Sequence, residues 1–221
     1  MTPDGFNPYR ITKSGVDWEE PDPDNPWAQI GYWGDHQVIY LEKLLEFFSK
    51  KDRASLLSLL NKKSFSSSNV PYRLKPYSQI ASNPRETIVF DRELSETLKK
   101  NAGIYGTDAK LVCSGGGQVK LVSLTTKLLQ IVIAKMANFI PGGGIWLNTQ
   151  RPEWNDANNA LAGYGLSVVT LCYVYRYLDF IEALFADCEK TADSSVQFSL
   201  PKEVAECFVK LSSLFSGTDE K

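Results

Sequence analysis

DHQVIYLEKLLEFFSK, residues 35–50, sets Val38, Leu41, Leu44, Leu45 and Phe48 at steps of three and four residues. That period lays apolar side chains along one stripe of an α-helix. Asp35 stands where an N-cap carboxylate would accept a backbone N–H of the first turn. Outward from this segment the same pattern recurs. A short helix is expected over about 52–60, a polar one opened by Asp91 over 91–100, and a helix apolar nearly all round over 124–140, ended by Pro141. Another follows over 166–188, and a last one starts at Pro201, a residue suited to a first helical turn.

The stretches between these helices carry turn chemistry. Residues 1–34 hold Pro3, Pro8, Pro21, Pro23 and Pro26 with Gly5, Gly15, Gly31 and Gly34, and are read as an extended, packed loop. Residues 62–90, with Pro71, Pro76 and Pro84, are read as a further loop. Over 109–122 two β-prone runs flank Gly115, Gly116 and Gly117, the signature of a β-hairpin. The expectation is a single domain over 1–221, mainly α, with helical hairpins joined by elaborate loops and one small β-hairpin insertion.

Composition excludes several classes of partner. The 221 residues are 43% hydrophobic and 23% charged, with a formal net charge of -2 and a sequence pI near 5.6. Such a balance leaves no basic footprint for nucleic acid or an anionic membrane surface. The N-terminus lacks the charged-then-apolar layout of a secretory signal, and the apolar runs at 128–134 and 166–175 are too short or interrupted to span a bilayer, so a cytoplasmic protein is expected. Cys113, Cys172, Cys188 and Cys207 form no CxxC and have one histidine, His36, for company; they are read as core thiols, with neither metal nor cofactor. The glycines at 142–144 lack the GK[ST] continuation of a phosphate loop.

Chemistry concentrates in RPEWNDANNALAGYG, residues 151–165, directly before a long apolar pattern. Asn148, Gln150, Arg151, Asn155, Asn158 and Asn159 supply donors and acceptors of the kind a polyhydroxyl ligand needs, and Glu153 and Asp156 supply carboxyl groups. All five tryptophans lie outside the helix interiors, before the helix at Asp35 or the one after Asp156, where flat rings suit stacking on a sugar. Trp33, Trp146 and Trp154 are the candidates. Cleaving a glycosidic bond takes a carboxylic acid that keeps its proton near neutrality. An aspartate at a helix N-terminus is stabilised as the anion, so burial against Trp146 and Trp154, or repulsion from Glu153, has to raise the pKa of Asp156. The competing structural roles are a plain N-cap for Asp156, a solvated surface carboxylate for Glu153, a loop-holding ion pair for Arg151 and a satisfied helix-start position for His36.

PEWNDANNALAGYGLSVVTL resembles the DWNDGMN…VG…GESVW segment of the cellobiose and chitobiose phosphorylases, which belong to the sugar-cleaving enzymes built on an (α/α)6 toroid. IGYWGDHQVIYLEKLLEFF is similar to that family's FGFRDQLQD helix entrance, and the two motifs come in the same order. The resemblance implies that Asp156 is the general acid and that Asp35, with its neighbours His36 and Gln37, binds hydroxyls of the sugar being cleaved. Trp154 and Asn155 match the motif, and Glu153 replaces its first aspartate. The arginine preceding the sugar-binding aspartate is Gly34 here, and His36 does not match the family's phosphate-site histidine. The substrate implied is an oligosaccharide, with inorganic phosphate or water as the attacking group. A closed toroid of twelve helices needs well over roughly 300 residues. The chain is therefore expected to form an incomplete toroid that self-associates or completes itself against the remainder of a larger polypeptide. The alternatives are a carbohydrate-binding protein without turnover and a helical interaction module.

Overall fold

The computed structural model describes residues 2–3, 9–22, 24, 36–84, 86–147, 163–191 and 195–217. The fold is mainly α with small antiparallel sheets, and the chain divides into two compact units, each assembled from three segments.

The first unit takes residues 1–34, 66–120 and 146–167. Its opening segment is not the loop expected. β1 (Tyr9–Thr12) pairs antiparallel with β2 (Gly15–Trp18), and the turn needs Gly15 at φ +78, a conformation open to glycine and strained for other residues. Alternation along β2 buries Val16 and Trp18 while Arg10 reaches Asp17 and Glu19 on the outside. The second expected loop is also structured. β3 (Tyr72–Leu74) and β4 (Ile88–Phe90) pair around a short helix of a turn and a half, Tyr77–Ser82. Sequence period misses this pair because its partners are non-local and each strand is only three residues long.

The helix Arg92–Tyr105 starts where Asp91 accepts the N–H of Leu94 at 2.9 Å and runs past the expected end at Lys100 until Gly106. Its Leu98 joins Val16, Trp18, Val70 and Tyr72 in one buried cluster, with Ile88, Phe90, Leu94 and Leu111 against it. The polar edges of the two large rings are satisfied there. Trp18 Nε1–H donates to Ser95 Oγ at 3.1 Å, Ser95 in turn donates to Glu20 Oε1 at 2.9 Å, and Tyr72 Oη–H donates to the Glu19 carbonyl at 2.5 Å. Burial pushes the Tyr72 phenol up to about 12. The expected hairpin over 109–122 is present as Cys113 opposite Val119, with Ser114 N–H bonded to the Gln118 carbonyl across the glycine turn.

The second unit takes residues 35–65, 121–145 and 168–221 and is a helix assembly. Numbered within this unit alone, αA is His36–Lys51, αB Arg53–Leu59, αC Leu124–Met136, αD Val168–Thr191 and αE Lys202–Ser216. Side-chain caps set two of the starts: Asp52 accepts from Ser55 N at 3.0 Å before αB, and Ser123 accepts from Thr126 N at 3.3 Å before αC. αC is central, packing on αD and αE, while αA packs on αB and αD. As its composition suggested, αC is buried on several sides, from Leu124 through Leu128, Leu129, Ile131 and Val132 to Lys135.

Several boundaries and one face differ from the sequence reading. αC stops at Met136 rather than 140, because Phe139 and Ile140 turn back at Gly142 to pair with Ile145 and Gly144 as a hairpin. Pro201 is the cap residue of αE rather than its first turn. Leu166 and Ser167 are strand, and αD starts at Val168. On αA the buried line is Val38, Glu42 and Leu45, while Leu44 is 62% exposed beside Tyr40 and Phe47. The segment is apolar on more than one side, so packing rather than period chose the inner face. The cysteines are corrected as well: Cys113, Cys172 and Cys207 are exposed and Cys188 half-buried, so they are surface thiols rather than core ones. No described helix is long and apolar enough to cross a membrane.

Candidate functional site

The polar motif is strung between two points of the first unit that are hydrogen-bonded to each other. Leu147 N–H donates to the Gly165 carbonyl at 2.9 Å, and the Leu147 carbonyl accepts from Gly163 N–H at 2.6 Å. Trp146 Nε1–H adds a third bond, to the Gly163 carbonyl at 3.0 Å. Leu147 is buried, as are Gly163 and Gly165, while Tyr164 between the two glycines points outward and is 66% exposed. Gly163 sits at φ +82, where a side chain would be strained. Residues 146–147 and 163–165 thus form a closed neck, and everything from 148 to 162 begins and ends there.

Asn148, Gln150, Arg151, Glu153, Trp154, Asn155, Asp156, Asn158 and Asn159 lie outside the described residues, as do Trp33 and Asp35. His36 and Gln37 are the first two residues of αA; their side chains lie outside the description. Trp146 is the sequence-derived candidate whose surroundings are fully described. Its indole N–H is committed to the neck backbone and the ring is half-buried, which leaves a ring face, not the polar edge, as what a ligand would meet. Trp18, the other described tryptophan, is a core residue: it is buried, bonded to Ser95 and covered by Lys110 Nζ at 5.4 Å from its ring centre.

The long helix expected from about Leu166 starts at Val168. Leu166 and Ser167, between the motif's last residue Gly165 and that helix, are strand. Among the described residues no group of three His, Cys, Asp or Glu side chains could hold a metal ion.

Sequence reasoning missed two features that the geometry makes plain. The first is the neck itself, whose signal was the GYG triplet: two small buried positions flanking one exposed ring. The second is Glu42, a carboxylate in the middle of an apolar helix face, which no periodicity argument selects. No family model matches this chain, and no curated protein matches it.

Proposed function

We propose that the chain is the acid-bearing part of a glycosidic-bond-cleaving enzyme of the incomplete-toroid type, acting on an oligosaccharide by phosphorolysis or hydrolysis. Asp156 donates the proton to the departing sugar oxygen, and Glu153 stands beside it as the neighbouring carboxylate. Asp35, His36 and Gln37 bind sugar hydroxyls, with Trp33, Trp146, Trp154, Arg151, Asn155, Asn158 and Asn159 contributing stacking faces and amide or guanidinium donors. The observation that supports this reading is the neck. A stretch dense in Trp, Asn and carboxylates is tied at both ends to one buried point by three hydrogen bonds, the way reactive loops are carried on a rigid base.

The test is incubation with a panel of disaccharides, with and without inorganic phosphate, assayed for free sugar and sugar phosphate. Turnover that falls at least about a hundredfold in Asp156→Asn supports the reading, since general acid catalysis contributes about 10²–10⁴. Turnover unchanged in that variant removes Asp156 from the role. Sugar binding without release in the native chain converts the reading to a binding protein.

A second reading, a helical interaction module, is favoured by one observation. Tyr40, Leu44 and Phe47 are 60%, 62% and 70% exposed at i, i+4 and i+7 along αA, an apolar line on the outside of a helix. Under that reading, Leu44→Glu abolishes any self-association measured by sedimentation and leaves sugar turnover absent throughout.

A further inference from the structure

Glu42 lies in the seam between αA and αD with no side-chain exposure. Arg176 of αD is the nearest cation, its Nε 2.7 Å from Glu42 Oε1. The hydrogen bonds of that guanidinium nevertheless go to Glu46, one turn further along αA: Nε to Oε1 at 3.0 Å, and Nη2 to Oε1 and Oε2 at 2.7 Å each. Among the described residues no hydrogen bond reaches either oxygen of Glu42. Two carboxylates therefore compete for one guanidinium, and the more buried of them holds the poorer share.

Among the described residues the other charged and titratable groups about the seam have contacts of their own, and of them Lys43 also draws the Glu42 carboxyl toward its anion. Lys43 of αA stands 5.7 Å over the ring of Tyr173. The Tyr177 hydroxyl donates to the Leu128 carbonyl at 3.3 Å. Arg53 of αB closes its own pair with Asp187 of αD, Nε to Oδ2 at 2.8 Å. A carboxylate sealed from water without a donor is costly as an anion and acceptable as a neutral acid.

We infer that Glu42 is a proton-operated latch of the αA–αD seam: on mild acidification the carboxyl takes a proton from solvent, Arg176 is left to Glu46 alone, and the seam tightens. Burial acts in the same sense, pushing the Glu42 pKa up, against the opposing pull of the Arg176 charge and with a further push from Glu46. The folded value then lies above that of the unfolded chain, so between the two the folded unit binds the extra proton. Stability in that window falls as the pH rises and is regained as it drops.

The test uses the full chain. Infrared difference spectra on going from mildly acidic to mildly alkaline pH are expected to show loss of a protonated-carboxyl stretch in the native chain and no such band in Glu42→Gln. In Glu46→Gln, where Arg176 is freed for Glu42, the same band should be lost at lower pH. The melting temperature of the native chain is expected to fall by about 3 °C relative to Glu42→Gln over the same change, a difference in which the contributions common to both chains cancel. Absence of the band from the native chain at mildly acidic pH, its survival in Glu42→Gln, or an unmoved midpoint in Glu46→Gln would each overturn the inference. The spectra of the native chain and Glu46→Gln decide the matter even if Glu42→Gln does not fold.

Discussion

The two units solve the problem of burial differently. In the second, helices interlock through aliphatic side chains: Leu128, Leu184, Leu56, Leu60 and Val38 are almost wholly buried, and each such side chain contributes about 1.5–3 kcal/mol. In the first, strands of three or four residues hold a smaller cluster built on Trp18 and Tyr72, whose polar edges end on Ser95 and Glu19. A helix satisfies its own backbone, so its interior needs only shape. Short strands and long connections leave more polar groups to be matched one by one, and large rings with a polar handle do that work.

This contrast can be broken by mutation. The largest effect is expected from Leu128→Ala in αC, about 2–5 kcal/mol off the unfolding free energy by denaturant titration. Ser95→Ala should follow at about 1–3 kcal/mol, because it strands the buried Trp18 N–H and removes a donor to Glu20. If Ser95→Ala costs less than removing the Ser123 cap of αC, the first unit does not depend on its polar anchors as argued. Gly15→Ala comes next. It forces a side chain into φ +78 with its Cβ 2.9 Å from Thr107 Cβ, and is expected to destabilise by more than about 1 kcal/mol, whereas Gly116→Ala, also at positive φ but in open space, should be milder. Ser123→Ala should cost about 1 kcal/mol.

A smaller, pH-dependent effect sharpens the description of the second unit. Burial lowers the Lys127 ammonium to about 8 from its ordinary 10.5. The unfolded chain then binds more protons between those values, so this lysine makes stability rise with pH across that window. Lys127→Met should remove the rise and leave the chain more stable at neutral pH, read from melting curves. An unchanged slope would mean that the ammonium is better solvated than its surroundings imply.

How much of this was legible follows from the same contrast. The starts of αB, αC and the helix after Asp91 could be read from Asp52, Ser123 and Asp91, because a cap is a local interaction between residues three apart. The pairing of Tyr72 with Phe90 could not, since nothing local links them. Proline and glycine density hid β1 and β2, although Val16 and Trp18 alternate there as a half-buried strand should. On αA the composition offered several apolar lines, and a carboxylate at Glu42 argued against the one that packing selected. For the candidate site, the sequence marked a polar stretch but gave no sign of the Leu147 bonds to Gly163 and Gly165, because those residues are far apart along the chain.

That attachment bears on how such a protein can change over generations. The segment between Leu147 and Gly163 has its two ends hydrogen-bonded to each other. Lengthening or rewriting it adds only a slowly growing closure entropy. Changes of sequence between those two points therefore leave the bond between Leu147 and Gly163 that brackets them in place.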